Sequence, residues 1–153
     1  MNFFWELWFM AKQYNKSSKN NQEAYVQLAE LDGIAPPQSI ELEQAVLGAL
    51  MLEKDAIIDV QEYLSVDTFY TEEHRTIFKA IQDLSFEMKA IDLYTVTERL
   101  KSQKELTKVG GAAYLAELTQ RVATAAHVEF HAKIIAQKYV QRELIRSATE
   151  IQR

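Results

Sequence analysis

The histidines of this chain have the widest choice of chemistry, because an imidazole can bind a metal ion or move a proton near neutral pH. His127 and His131 lie four residues apart in "HVEFH" and would share one face of a helix. The metalloprotease motif places a glutamate directly after its first histidine. Here Glu129 follows two residues after His127, where it would point away from the pair. We expect two partly exposed helix histidines, and a metal or enzyme site at this pair is the competing hypothesis.

The third histidine, His74, lies on an apolar stripe with Ile77 and Ile81 at helical spacing. This position predicts a semi-buried, hydrogen-bonded histidine, and a catalytic base is the alternative. Several carboxylates occupy the first turns of predicted helices, where they would offset the helix dipole. These residues are Glu41, Glu43, Glu72 and Glu73.

No phosphate cradle or nucleophile is recognisable in the sequence. The paired glycines of "VGGAAYL" are not followed by Lys-Ser or Lys-Thr, and the chain has no cysteine and no G-x-S-x-G. We therefore predict no catalytic, cofactor-binding or metal-binding residues. The net charge of −5 argues against a dedicated nucleic-acid binder. The locally basic segment 133–153 is expected to be a solvated face with i,i+4 ion pairs, and a weak nucleic-acid contact is the alternative.

Few helix-breaking residues interrupt the chain, which predicts long helices. Among 153 residues there are only four Gly and two Pro, and 48% of the residues are hydrophobic. From Ser39 onward we predict six helices in an all-α fold, with Ser39, Thr71 and Asp92 as N-caps. The first helix should be buried through Leu42, Val46 and Leu50. A further short helix is tentatively predicted at 23–31, and Phe69 and Tyr70 should tuck into the core.

The last predicted helix, from about His127, is apolar over an unusually wide surface. Such a surface exceeds what one small partner helix can cover, so the helix should form an antiparallel hairpin with the preceding helix (about 111–121) and also contact a second chain. Its apolar residues divide between two neighbouring faces, with Phe130, Ile134, Ile145 and Ala148 on one, Ile135 and Tyr139 on the other, and Val128 one turn before them.

The beginning of the chain, "MNFFWELWFM", is aromatic but too short to span a bilayer, which needs about 20 apolar residues. It also lacks the basic start of a signal peptide. We expect a translated upstream extension with Met10 as the natural start. The alternative is a short helix that docks its aromatic side chains on the domain or on a neighbour. Residues 1–35 as a whole should be poorly ordered or loosely packed.

Five stretches, in this order, resemble the N-terminal domain of bacterial replicative DNA helicases of the DnaB family. They are "PPQSIELEQAVLGALML", "FYTEEHRTIFKAI", "IDLYTVTERL", "VGGAAYLAEL" and "TAAHVEFHAKIIAQKYVQRELI". The similarity covers about residues 36–151. None of the stretches is unique, and their order and spacing give the resemblance its weight.

The resemblance implies a globular helical head (about 36–108) followed by a helical hairpin (about 110–153). In that family the hairpins pair between subunits, and three such dimers form a collar on a hexameric ring. The ATP-driven motor, with its Mg²⁺, is a separate domain reached through a linker. The chain would then be a non-catalytic fragment of a cytoplasmic, ATP-dependent DNA helicase, cut within or just after its last helix.

The resemblance also implies partners. The family's collar docks primase and, in some species, the helicase loader, while DNA is bound by the parent protein. By alignment of the "TAA…II" stretch, the primase-contacting positions correspond to Val128 and Ile134, of which we expect Val128 to be the more exposed. Phe130, Ile135, Tyr139 and Ile145 are the expected hairpin or oligomer contacts. Where the family commonly has Asn, this chain has His127, a weaker N-cap for the last helix. A free-standing helical adaptor without a motor is the alternative function.

Overall fold

The computed structural model describes residues 35–122 and 126–151. Within these ranges the fold is all-α, with no strand, which confirms the predicted class and helix number. The expectations for the aromatic N-terminal segment and for a helix at 23–31 lie outside the described residues. The helices are α1 (Ile40–Leu52), α2 (Ala56–Val60), α3 (Glu72–Phe86), α4 (Leu93–Ser102), α5 (Gly111–Gln120) and α6 (Val128–Ile151), with a 3₁₀ turn at Val66–Thr68.

Local capping chemistry fixes where the middle helices begin. The Thr71 hydroxyl accepts the His74 N–H at 3.2 Å and starts α3, as predicted. At α4, the Asp92 carboxylate accepts the Thr95 N–H at 2.8 Å, and the Thr95 hydroxyl accepts the Asp92 N–H at 3.0 Å. This reciprocal pair satisfies two backbone donors at once. Ser39 occupies the N-cap position of α1, as predicted, although its side chain makes no capping hydrogen bond.

Residues 38–141 form one compact unit around an apolar core. Helix α1 lies at its centre, with Val46 and Leu50 fully buried and Leu42 half-buried. Helix α5 packs mainly against α1, and at Gly48 the two helices leave no room for a side chain. A Cβ atom there would lie 2.2 Å from the Leu118 carbonyl oxygen, so a glycine is required. Phe69 is buried as expected, whereas Tyr70 is only half-buried.

Two features of α5 bear on the predicted hairpin. Its N-cap, Gly110, has φ +96°, a left-handed conformation that suits glycine. Its main neighbours are α1 and, to a lesser extent, α4, so α5 is an integral part of the core. The antiparallel hairpin of α5 with α6, and the head and hairpin boundaries, stay predictions. None of the described helices is long and apolar enough to cross a membrane.

A second compact unit contains the described residues 35–37 and 142–151. Within it, Arg142 donates a hydrogen bond to the Pro37 carbonyl oxygen at 2.8 Å. Arg146 pairs with Glu143 at 2.8 Å and approaches Glu150 at 3.9 Å. These ion pairs agree with a charged, solvated face, but the buried Arg142 departs from it because its guanidinium is used to hold the backbone at Pro37.

Candidate docking surface on the last helix

The part of α6 in the first unit has two apolar faces with different surroundings. Val128, Ala132 and Ile135 are buried in the core, at spacings of four and three residues. Phe130 and Val140 are 63% and 53% exposed. At about 100° per residue, Phe130 points away from the buried set, whereas Val140 lies to one side of it. We call Phe130, half-buried Ile134 and Val140 the outer face of α6.

The expectation that Val128 is more exposed than Ile134 is wrong. Val128 is 6% exposed and belongs to the core, whereas Ile134 is half-buried. The reason is helical register, because Val128 precedes Ile135 by seven residues and therefore lies within about 20° of it. Both side chains face the chain's own interior. Of the two predicted primase-contact positions, only Ile134 lies toward the outer face.

The four predicted hairpin or oligomer contacts also differ in exposure. Phe130 and Ile145 are exposed side chains, each within its own unit, and are accessible to a second molecule. Tyr139 is half-buried. Ile135 is 1% exposed and is already used by the core of its own chain. Their role in oligomer contacts stays a prediction.

Charged and aromatic groups hold the start of α6 against the residues that follow α2. Lys133 Nζ lies 2.7 Å from Glu129 Oε1, an i,i+4 pair, and 4.9 Å from the centroid of the Tyr63 ring. The hydrogen bond from Lys133 lowers the pKa of the Glu129 carboxyl, and the same bond raises the pKa of Lys133. The Tyr63 hydroxyl donates to Glu129 at 3.4 Å. These contacts orient the first turns of α6 and so present Phe130 to solvent.

A buried polar network links three helices of the core. Glu43 is 1% exposed and accepts the Tyr70 N–H at 2.8 Å on one carboxylate oxygen. Its other oxygen lies 2.6 Å from His74 Nδ1, and His74 Nε2 lies 2.8 Å from the Tyr114 hydroxyl. Gln44 donates to the same hydroxyl at 3.1 Å. Each buried polar group thus has a partner, as buried polar groups require.

This network corrects one expectation and confirms another. Glu43 does not act only as a first-turn dipole carboxylate, because it is buried and bound to the His74 ring. The signal was present in the sequence, since Glu43, Val46, Leu47 and Leu50 follow the spacing of one buried helix face. His74 is the buried, hydrogen-bonded histidine that its stripe predicts.

Metal chemistry finds little support in the described ranges. No group of three or more His, Cys, Asp and Glu side chains there could hold a metal ion. The rings of His127 and His131 lie near each other, with centroids 6.4 Å apart. A cavity of about 360 Å³ borders Tyr114 and His74 and is lined further by Thr71, Lys108 and Gly110. Glu73 also lines this cavity. The exposed apolar side chains on the outer face of α6 make that face the stronger candidate for binding a protein partner.

The chain is similar in sequence to known replicative helicases. The family described as "DnaB-like helicase N terminal domain" matches residues 35–137. The replicative DNA helicase DnaB of Rhodothermus marinus is 50% identical over 110 residues, which cover 72% of this chain and 12% of that protein. The DnaB of Geobacillus stearothermophilus is 46% identical over 116 residues, covering 76% of this chain and 26% of that protein. The chain therefore spans about a quarter or less of these relatives' length.

Solved structures agree with the sequence relatives. The N-terminal domain of DnaB helicase from Mycobacterium tuberculosis has a TM-score of 0.75 at 39% identity, covering 76% of this chain and 81% of that one. A DnaB-like replicative helicase, described together with its interactions with primase, has a TM-score of 0.67 at 27% identity. That match covers 74% of this chain and 27% of the other. The chain belongs to the family of DnaB-like helicase N-terminal domains.

Proposed function

We propose that this chain is the collar domain of a replicative DNA helicase, and that it assembles the hexamer and docks primase during DNA replication. The observation that supports this most is the exposed apolar outer face of α6, opposite a face of the same helix that is already buried. Exposed aromatic residues in a well-ordered helix are typical anchors of protein interfaces. Family membership also supports the proposal. The chain matches the N-terminal domain of replicative helicases, which are about four times longer than the matched part in one relative.

Primase docking would use Ile134 together with its outer-face neighbours Phe130 and Val140. One structural neighbour is itself described with its primase interactions, which supports this partner class. Val128 would contribute indirectly, because it anchors the helix in the core beneath the docking residues. A helicase loader is a second candidate partner in species that use one.

Assembly would occur through pairing of α6 between two chains, and three such dimers would form the hexamer. Ile145 is the exposed residue that would be buried in this step, whereas Phe130, although predicted as a hairpin or oligomer contact, would stay available to primase. The remaining length of the protein would supply the motor domain with its ATP and Mg²⁺ and the contacts with DNA. This chain would then contribute assembly and partner binding in the cytoplasm, and not the chemistry of ATP hydrolysis.

Titration of the cognate primase C-terminal domain tests the docking proposal. We expect Ile134→Ser to weaken binding by about 1–3 kcal/mol, as truncated interface anchors commonly do. Its thermal midpoint should fall far less than that of Val128→Ala, which removes methyl groups from the core. Val128→Ala is the matched control, because it changes the same helix on the buried face. Equal primase affinity of wild type and Ile134→Ser would reject this docking site.

A further inference from the structure

The second unit has an exposed apolar stripe that none of its described residues covers. Leu144, Ser147, Ala148 and Ile151 follow one another at i, i+3, i+4 and i+7, so they lie on one face of α6. All four are exposed, Leu144 to 65% and Ile151 to 85%. We call these four residues the C-terminal stripe. Its two small central residues leave space for a large side chain between Leu144 and Ile151.

The chain itself enters this unit beside the C-terminal stripe. Arg142 donates its hydrogen bond to the carbonyl oxygen of Pro37, which fixes the backbone of residue 37 next to α6. From Arg142 to Ile151 the helix advances only about 14 Å at 1.5 Å per residue. Residues 35–37, where the described chain begins, therefore lie close to the stripe.

The first nine residues contain a concentration of aromatic side chains. Their only charged side chain is Glu6, and an exposed segment of this composition would be sticky in water. About 25 residues separate it from Ala35, and a flexible chain of that length spans about 28 Å on average. This distance exceeds the length of the stripe. The aromatic residues are Phe3, Phe4, Trp5, Trp8 and Phe9.

We propose that this aromatic segment, residues 3–9, docks on the C-terminal stripe of its own chain. A tether of about 25 residues gives an intramolecular partner an effective concentration in the millimolar range. A second copy of the chain would have to reach a similar concentration to compete. Docking would bury the indole and phenyl rings on Leu144 and Ile151, with Ser147 and Ala148 beneath them. The proposal does not rest on primase binding, which would use the outer face of α6 in the other unit.

Tryptophan fluorescence tests this docking directly, because Trp5 and Trp8 are the only tryptophans of the chain. In the wild-type chain we expect blue-shifted emission and protection from acrylamide, both independent of protein concentration. The double variant Leu144→Ser/Ile151→Ser should shift the emission to the red and raise the quenching constant. Leu52→Ser is the matched control, since Leu52 is a 52% exposed leucine of the other unit. It should leave both signals unchanged.

Three outcomes would overturn the proposal. The first is wild-type emission identical to that of a peptide of residues 1–12. The second is a blue shift that disappears on dilution, which would make a second copy the occupant. The third is a double variant with wild-type fluorescence. Circular dichroism melts check that the variant is folded, and Leu144→Ser alone gives the same comparison if the double variant is not. Loss of primase binding would not affect these signals, so failure of the collar role is distinguishable.

Discussion

Glu43 and Phe130 each occupy the environment that their residue type normally avoids. The carboxylate is 1% exposed, and the phenyl ring is 63% exposed. The position of Glu43 is explained within the chain, because His74 and the Tyr70 N–H bind its two oxygens. No contact within the described part of the domain explains Phe130 in the same way. The first residue thus serves the fold, and the exposure of the second is the basis for proposing that it serves a partner.

The largest expected effect separates these two residues. Glu43→Ala should lower the free energy of unfolding by about 1–3 kcal/mol for each donor that loses its acceptor, and these donors are the His74 ring and the Tyr70 N–H. Phe130→Ala should change it by only about 0.5 kcal/mol, as surface substitutions usually do. Urea unfolding of both variants measures the difference. Similar losses in the two would mean that Phe130 is a structural residue and would break the comparison.

A smaller effect is expected at Gly48, where α5 leaves no room for a side chain on α1. Gly48→Ala should destabilise the domain by about 1–3 kcal/mol, because the new methyl group would overlap the Leu118 carbonyl oxygen. Alanine is otherwise the better helix former, by about 1 kcal/mol. Thermal unfolding therefore distinguishes the two effects, because the steric overlap lowers the melting temperature and the helix propensity raises it. A gain in stability would show that α5 is free to move away from α1 and that the core beneath α6 is less rigid than described.

The smallest expected effect concerns the exposed ion pairs of Glu87. Hydrogen bonds from Arg99 and Lys89 lower the pKa of Glu87 from 4.5 to about 2. A depressed carboxyl pKa stabilises the fold above the unfolded value, and this contribution is lost as the pH falls from 4.5 to about 2. Wild type should exceed Glu87→Gln slightly in stability at neutral pH, and the gap should close over that range. The difference should be small and sensitive to salt, since these charges are screened by solvent. A stability difference between the two proteins that does not change with pH would argue against the ion pairs of Glu87 with Arg99 and Lys89.

Local signals in the sequence were sufficient for the helices and several caps. Thr71 and Asp92 act through residues three positions away, so their roles are readable without the fold. The burial of Val128 is not readable in this way, because it depends on which side of α6 the core occupies. The helical spacing of Glu43 indicates burial, but its hydrogen-bond partners are not readable from local sequence. His74 and Tyr70 lie 31 and 27 residues further along the chain. The need for glycine at position 48 likewise depends on Leu118, a residue of another helix.

The outer face of α6 could be predicted only in part from the sequence. The apolar spacing of Phe130 and Ile134 predicted a wide surface on the last helix. It could not show which apolar residues the chain uses for itself, because Ile134 and Ile135 are adjacent and of the same type. Packing separates them, with Ile135 buried and Ile134 half-exposed at the edge of the outer face.

A footprint of primase on this chain tests the central claim most directly. Backbone amide NMR or hydrogen exchange, with and without the primase C-terminal domain, would locate the contact. We predict that the perturbed residues include Phe130, Ile134 and Val140. A second exposed apolar group, Phe86, Met88 and Tyr94, is the internal control and should be unaffected. A footprint centred on that second group, or no footprint at primase concentrations that saturate the full-length helicase, would contradict the assignment of α6 as the docking surface.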